Sequence, residues 1–204
     1  MNERIKMGFL LLVASILATL GAACGGESGN KGTANSEPIV KSEPAKPASD
    51  KGDSVVTGGD LDFINTAAPG GMAEVELGKM AASKAQNAEV KAFGQKMVED
   101  HSKAGEELKQ LAAQKKVTLS PDLLPAHKQL MEKLSKLSGA DFDKEYVAAM
   151  VADHEKDVAA FENVSKTAAD ADVKAFATKT LPTLKMHLEM IKGMAEKMGV
   201  KMKA

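Results

Sequence analysis

Val90-Lys91-Ala92-Phe93-Gly94-Gln95-Lys96-Met97-Val98-Glu99-Asp100-His101 places its apolar residues three and four apart, and the spacing continues through Ala104, Leu108 and Leu111. That period puts Val90, Phe93, Met97, His101, Ala104, Leu108 and Leu111 on one stripe of an α-helix, the stripe that faces a core. Asn87, just ahead of it, is a suitable N-cap, and the helix is expected to end near Lys116. The closing phrase Met97-Val98-Glu99-Asp100-His101 has a counterpart in Met150-Val151-Ala152-Asp153-His154. This second copy lies in a segment from about Asp141 to Lys166, with Val147, Met150, His154, Val158 and Phe161 inward. A third segment starts at Asp170 or Asp172 and carries Val173, Phe176, Thr180, Leu184, His187, Ile191, Met194 and Met198 on one face. Pro182 is expected to bend it.

Ahead of these, Asp60 to Ala85 presents Phe63, Ala67, Gly70, Glu74, Leu77 and Ala81, a stripe of mostly small residues that lets a neighbouring helix come close. Pro69 with Gly70-Gly71 is expected to kink or interrupt its first half. Residues 117–140 form a connector, with Ser120-Pro121-Asp122 read as a helix start and Leu130, Leu134 and Leu137 marking a short helix before Gly139. The expected architecture is all-α: an antiparallel four-helix bundle over residues 60–204, with a short connector helix between bundle helices 2 and 3. Ser83-Lys84-Ala85 through Val90-Lys91-Ala92-Phe93 echoes Ser165-Lys166-Thr167 through Val173-Lys174-Ala175-Phe176, so the two halves read as related helical hairpins.

The composition agrees. At 44% hydrophobic and 27% charged, with net charge −1, the 204 residues read as globular, with no bias toward nucleic acid or an anionic surface. No Trp and one Tyr leave few aromatic anchors for a sheet.

Residues 1–23 read as a signal peptide: Arg4 and Lys6, an apolar run from Met7 to Leu20, then Gly21-Ala22-Ala23 before Cys24. The run is too short to span a bilayer comfortably. Cys24 is the only cysteine, so no intramolecular disulfide forms. Leu20-Gly21-Ala22-Ala23-Cys24 resembles a bacterial lipoprotein signal with Cys24 as the lipidated residue, although Gly21 stands where Leu is commonest. Plain cleavage after Ala23, leaving a free thiol, is the alternative. Gly25 after the Cys favours the outer membrane over the inner. Residues 24–59, rich in Gly, Ser, Lys and Pro with few apolar side chains, read as a disordered tether with a reach of roughly 30 Å. The expected setting is the periplasmic side of the cell envelope, with the membrane contacted through the lipid and envelope proteins as partners.

Of four His, three fall in the middle of periodic segments and on their inward faces. One buried His is ordinarily a satisfied core residue. Three converging imidazoles cannot all donate and accept among themselves, and a metal ion serves them well. His101, His154 and His187 are therefore the candidate ligands of a single transition-metal ion, with Glu74 as the fourth. Asp100, Asp153 and Asp157 are close enough to act as their supporting carboxylates. The donor set does not choose among copper, zinc, iron and manganese. Met97 and Met150, each one turn before a His, tilt it modestly to copper. Met186, Met190, Met194, Met198 and Met202 recur every four residues, but that step drifts around a helix and cannot aim all five at one ion. His127, in the connector, is expected away from the centre.

Gly71-Met72-Ala73-Glu74-Val75-Glu76-Leu77-Gly78, Val90-Lys91-Ala92-Phe93 to Asp100-His101, Asp153-His154, and Leu181-Pro182-Thr183-Leu184 to His187 together resemble the bacterial family called domain of unknown function 4142, labelled predicted outer-membrane proteins of the ferritin-like superfamily. The resemblance covers about residues 60–199 and implies an exported protein with a ferritin-like four-helix bundle. It implies no activity. Di-iron carboxylate bundles carry Glu-x-x-His on two helices. Here Val98, Val151 and Leu184 stand three residues before the His, which argues against a ferroxidase or di-iron oxygenase. Three readings stay open: a metal-binding bundle, an envelope interaction protein with a metal-free His core, and a mononuclear metal enzyme acting on peroxide.

Overall fold

The computed structural model describes residues 56–201. The expected signal peptide, Cys24 and the expected tether up to residue 55 lie outside the described residues. Five helices follow one another: α1 Gly59–Lys84, α2 Ala88–Gln114, α3 Pro125–Ser135, α4 Gly139–Thr167 and α5 Ala171–Lys197. No strand occurs among the described residues. The four long helices are the expected bundle and α3 is its connector. α1 packs on α2 and α4 on α5, and the two hairpins close through α2 against α5 and α1 against α4.

The inward stripes are where the periodicity puts them, with Ala67, Gly70, Ala104, Val158, Thr180 and Met198 only half-buried. They split into two apolar clusters. One is built around Phe93, Met97, Tyr146, Met150 and Ile191. The other is built around Phe63, Leu108, Phe161, Phe176 and Leu184. On α2, α4 and α5 the buried His lies between residues of the two clusters, and Glu74 does the same on α1, so a polar layer crosses the bundle at mid-height.

The two helical corners are built alike. Asn87 caps α2 by accepting from the N–H of Glu89 (2.8 Å) and of Val90 (3.4 Å). Asp170 caps α5 by accepting from Asp172 N–H (2.9 Å) and Val173 N–H (3.1 Å). Each corner also receives a buried carboxylate from the opposite hairpin: Asp143 accepts from Gln86 N–H (3.0 Å) and Asn87 N–H (2.7 Å), and Asp60 accepts from Asp170 N–H (2.7 Å). A single shift of 83 residues carries Asp60 onto Asp143, Asn87 onto Asp170 and Phe93 onto Phe176. The related hairpins read from the sequence echo are therefore present in three dimensions.

Small residues do permit a close helix crossing, at Gly78 and Gly94. A Cβ on Gly94 would lie 2.7 Å from the Gly78 carbonyl oxygen and 2.7 Å from Ala81 Cβ, so only glycine fits.

Three expectations are corrected. α1 runs through Pro69 without a break. Packing of the rest of α1 against α2 and α4 outweighs the one helix hydrogen bond that Pro69, itself buried, does not make. Ser120-Pro121-Asp122 does not start a helix. Ser120 Oγ accepts from Asp122 N–H (3.1 Å) in a turn, and α3 begins at Pro125 after Leu124, held extended (φ −62°, ψ 148°) as a residue before proline prefers. Finally, Val56, placed by the sequence reading in the tether, is buried against the second cluster, so the folded body starts slightly earlier.

Candidate metal centre

Each long helix contributes one residue to the polar layer: Glu74 from α1, His101 from α2, His154 from α4 and His187 from α5. The imidazole centroids are 5.3 Å (His101–His187), 5.5 Å (His154–His187) and 5.8 Å (His101–His154) apart. One ring nitrogen from each lies within 4.8 Å of the other two. The Phe93 ring packs against His154 (6.2 Å) and His187 (6.0 Å) and walls the group from one side.

Each imidazole is held by one nitrogen. His154 Nδ1 is 3.0 Å from the Met150 carbonyl oxygen. A carbonyl only accepts, so Nδ1 carries the proton and Nε2 keeps its lone pair. His101 Nδ1 is 2.8 Å from Glu74 Oε2, and His187 Nε2 is 2.7 Å from Asp100 Oδ2. The remaining nitrogens, His101 Nε2, His154 Nε2 and His187 Nδ1, are buried without any hydrogen-bond partner. An imidazole oriented by an oxygen on one nitrogen and bare on the other is the arrangement found around metal ions. In a metal-free core the same three atoms would be buried at a loss.

Protonation favours the same reading. Burial pushes His101 down to about 4, against the nearby carboxylates that raise it. Burial and the other two imidazoles push His154 down to about 3. Burial also lowers His187, with the Asp100 bond opposing. All three imidazoles are neutral at neutral pH. For Asp100, burial raises the carboxyl, but the bonds to His187 and to Lys96 (3.0 Å) outweigh it and the group is held below the ordinary range.

Glu74 is at the centre but in a different company. Its oxygens reach both His101 and, at 3.5 Å, His154 Nε2. It also forms a carboxylate group with Asp153 and Asp157, whose oxygens lie within 4.8 Å of one another. Burial, then the Asp153 charge, raises Glu74 well above the usual carboxylate range. Burial and Glu74 push Asp157 up to about 8. Burial likewise raises Asp153. The structure thus places a three-His group beside a three-carboxylate group, with Glu74 touching both. Asp100 bonds His187, whereas Asp153 and Asp157 gather on Glu74.

Met97 and Met150 are fully buried, one turn from their His. Of the Met series on α5, Met194 is buried while Met186 and Met190 are exposed, as the angular drift requires. His127 is half-buried on α3 and stands outside the group. The residue the spacing argument passed over is Tyr146, fully buried with an unpartnered hydroxyl. Being the chain's single Tyr, on the inward stripe of α4, was its only signal.

The model of the family described as "Domain of unknown function (DUF4142)" matches residues 45–194. The chain belongs to this family. Among solved structures, a DUF305 fragment from Deinococcus radiodurans superposes with a TM-score of 0.60 at 13% identity, covering 69% of this chain and 97% of that one. CopM in its Cu(I)-bound form gives 0.59 at 17% identity, covering 69% and 98%. CopM in an Ag-bound form obtained by soaking gives 0.57 at 18% identity, covering 71% and 98%. At such identities the likeness is one of fold, the ferritin-like helical bundle. No curated protein matches the chain significantly.

Proposed function

We propose that this protein binds one transition-metal ion, copper before the others, in the polar layer of its bundle, on the outer side of the cytoplasmic membrane. The observation that carries this reading is the set of three buried, unpartnered ring nitrogens on three oriented, neutral imidazoles. His101, His154 and His187 are the ligands. Asp100, the Met150 carbonyl and Glu74 hold their rings, and Glu74 Oε1 stands within reach as a fourth donor. Imidazole alone suits several metals, and buried Met97 and Met150, each one turn before a ligand, shift the preference to copper, Cu(I) especially. The copper-bound state of CopM, similar in fold, agrees with that choice. Export and attachment through Cys24, with the stretch before residue 56 as a spacer, complete the proposal. They rest on the sequence of residues 1–59.

The test uses the full-length chain, purified without chelator or affinity histidines, with metal content read by mass spectrometry and unfolding by calorimetry. Copper at a hundred times its Kd should stabilise by about 2.7 kcal/mol, roughly 5–10 °C in a body of this size. His101→Ala/His154→Ala should lose both the metal and the shift, while His127→Ala keeps both. Equal metal content and equal shift in wild type and the double variant would sink the proposal. If the double variant does not fold, His187→Gln, read the same way, decides. Labelled lipid on wild type and its absence on Cys24→Ser tests the anchor.

A further inference from the structure

A cavity of about 360 Å³ opens beside the carboxylate group; His101 lines it, whereas His154 and His187 do not. A metal ion needs no such volume. A cavity of about 150 Å³ holds a benzene, so this one admits a larger organic molecule. Its walls are apolar, with Leu108, Phe161 and Phe176 among them, and Glu74 and Asp157 meet at one end.

The internal repeat explains where the space comes from. The shift of 83 residues that superimposes the two hairpins relates His154 to Gly71, His187 to Ala104 and His101 to Leu184. Gly71, Ala104 and Leu184 all line the cavity. It is therefore the counterpart of the His group in the other half of the bundle, with the imidazoles replaced by small or apolar side chains. The same shift pairs Glu74 with Asp157, the two carboxyl groups shared between the halves. Gly70, Gly71 and Gly105 also line it, and a Cβ built on any of them meets nothing within 4 Å. Glycine is the least favourable helix residue after proline, and no packing contact requires it at these three places. What their missing side chains provide is room.

We propose that this cavity binds a compact organic amine, an apolar body with one ammonium head. The body lies along Leu108, Phe161 and Phe176, and the head donates to Glu74 Oε1 and to Asp157. Glu74 Oε1 is buried and has no hydrogen-bond partner. No lysine among the described residues forms an ion pair with Glu74 or Asp157, and Lys109, the cavity's only lysine, is exposed and pairs with Glu106 (2.7 Å). Buried acceptors of this kind are best served by a group that brings donors and positive charge. A carboxylate ligand brings no donor to Glu74 Oε1, and a hydrocarbon would leave the acceptors unserved. This goes beyond the metal reading, and the two sites meet at Glu74, whose Oε1 is also the candidate fourth donor to the metal.

The experiment titrates the full-length chain with benzylamine, benzyl alcohol and benzoate by calorimetry, with metal content measured in parallel. Benzylamine should bind saturably and at least tenfold more tightly than benzyl alcohol, and benzoate should not bind. Gly105→Leu, whose side chain fills the open space, should abolish benzylamine binding while its helicity and metal content match wild type. Asp157→Asn should erase the preference for amine over alcohol. Absence of saturable amine binding, benzoate bound as well as benzylamine, or unchanged binding in Gly105→Leu would each overturn the proposal. Loss of metal in His187→Gln, which lies outside the cavity lining, with amine binding intact separates this site from the metal centre.

Discussion

Two glycines on one helix should answer the same substitution with opposite signs. Gly94 and Gly105 both lie within α2, where Gly→Ala raises helix propensity by about 1 kcal/mol. At Gly105 nothing lies within 4 Å of the new methyl, so the gain is kept and Gly105→Ala should be more stable than wild type by up to about 1 kcal/mol. At Gly94 the methyl would sit 2.7 Å from the Gly78 carbonyl oxygen, 2.7 Å from Ala81 Cβ and 2.9 Å from Ala82 N. None of these is the loose end of a side chain, so relief requires α1 and α2 to move apart along a buried seam. Overpacking of this kind costs about 1–3 kcal/mol, and more where backbone must shift. Gly94→Ala should therefore be destabilised by about 2 kcal/mol net of propensity, and the two variants should differ by about 3 kcal/mol. That separates their melting temperatures by roughly 6–12 °C. Urea unfolding of the metal-free chain, followed by circular dichroism and extrapolated at constant slope, measures the difference. Gly78→Ala should behave as Gly94→Ala does, because each glycine faces the other's carbonyl. A Gly94→Ala protein as stable as wild type would refute the close crossing and, with it, the packing of the first hairpin.

Three further outcomes are expected. Asp100→Ala should weaken metal binding by about 10–100-fold, because the acceptor that orients His187 is lost; in a competition titration, affinity within a factor of two of wild type would contradict that role. Asp60→Ala and Asp143→Ala should each cost about 1–3 kcal/mol in urea unfolding, since each leaves corner N–H groups without their buried acceptor; a neutral result at either corner counts against the paired design. His154 carries the pH prediction. Its native value of about 3 lies below the unfolded value of 6.5, so the unfolded chain takes up the proton first as pH falls. The neutral imidazole's contribution is therefore full above about pH 6.5 and is lost toward pH 3. Between pH 7 and pH 5 this removes about 2 kcal/mol from the metal-free protein. Glu74 and Asp157, raised in the native state, act with the opposite sign, so the readout is the difference between wild type and His154→Phe. The variant should lack that loss, and identical pH profiles would show His154 to be accessible to protons in the native state.

How much of this could be read from the sequence depends on the range of each interaction. The four long helices, the caps at Asn87 and Asp170 and the three inward His follow from residues within a few positions of one another, and all are where the periodicity puts them. The unbroken passage of α1 through Pro69 was not legible, because it turns on the packing of the whole helix against α2 and α4. Nor was the use of Asp60 and Asp143, because each acts on a corner of the opposite hairpin, 110 and 56–57 positions away. Glu74 shows the limit most sharply. Helical phase separates it from Glu76, about 200° around the axis, and so identifies it as the inward carboxylate. Phase says nothing of its partners. Whether an inward Glu serves as a ligand, as the hold on a neighbouring His or as one of a group of carboxylates depends on which residues the other three helices bring to its height. Here they bring His101 and His154 to one side and Asp153 and Asp157 to the other. The helices that supply them come from both copies of the repeat, so Glu74 acquires its double role only when the two hairpins pack. A residue's chemistry at such a seam belongs to the assembled layer, and the repeat register, which places Glu74 opposite Asp157, is the one part of it the chain announces in advance.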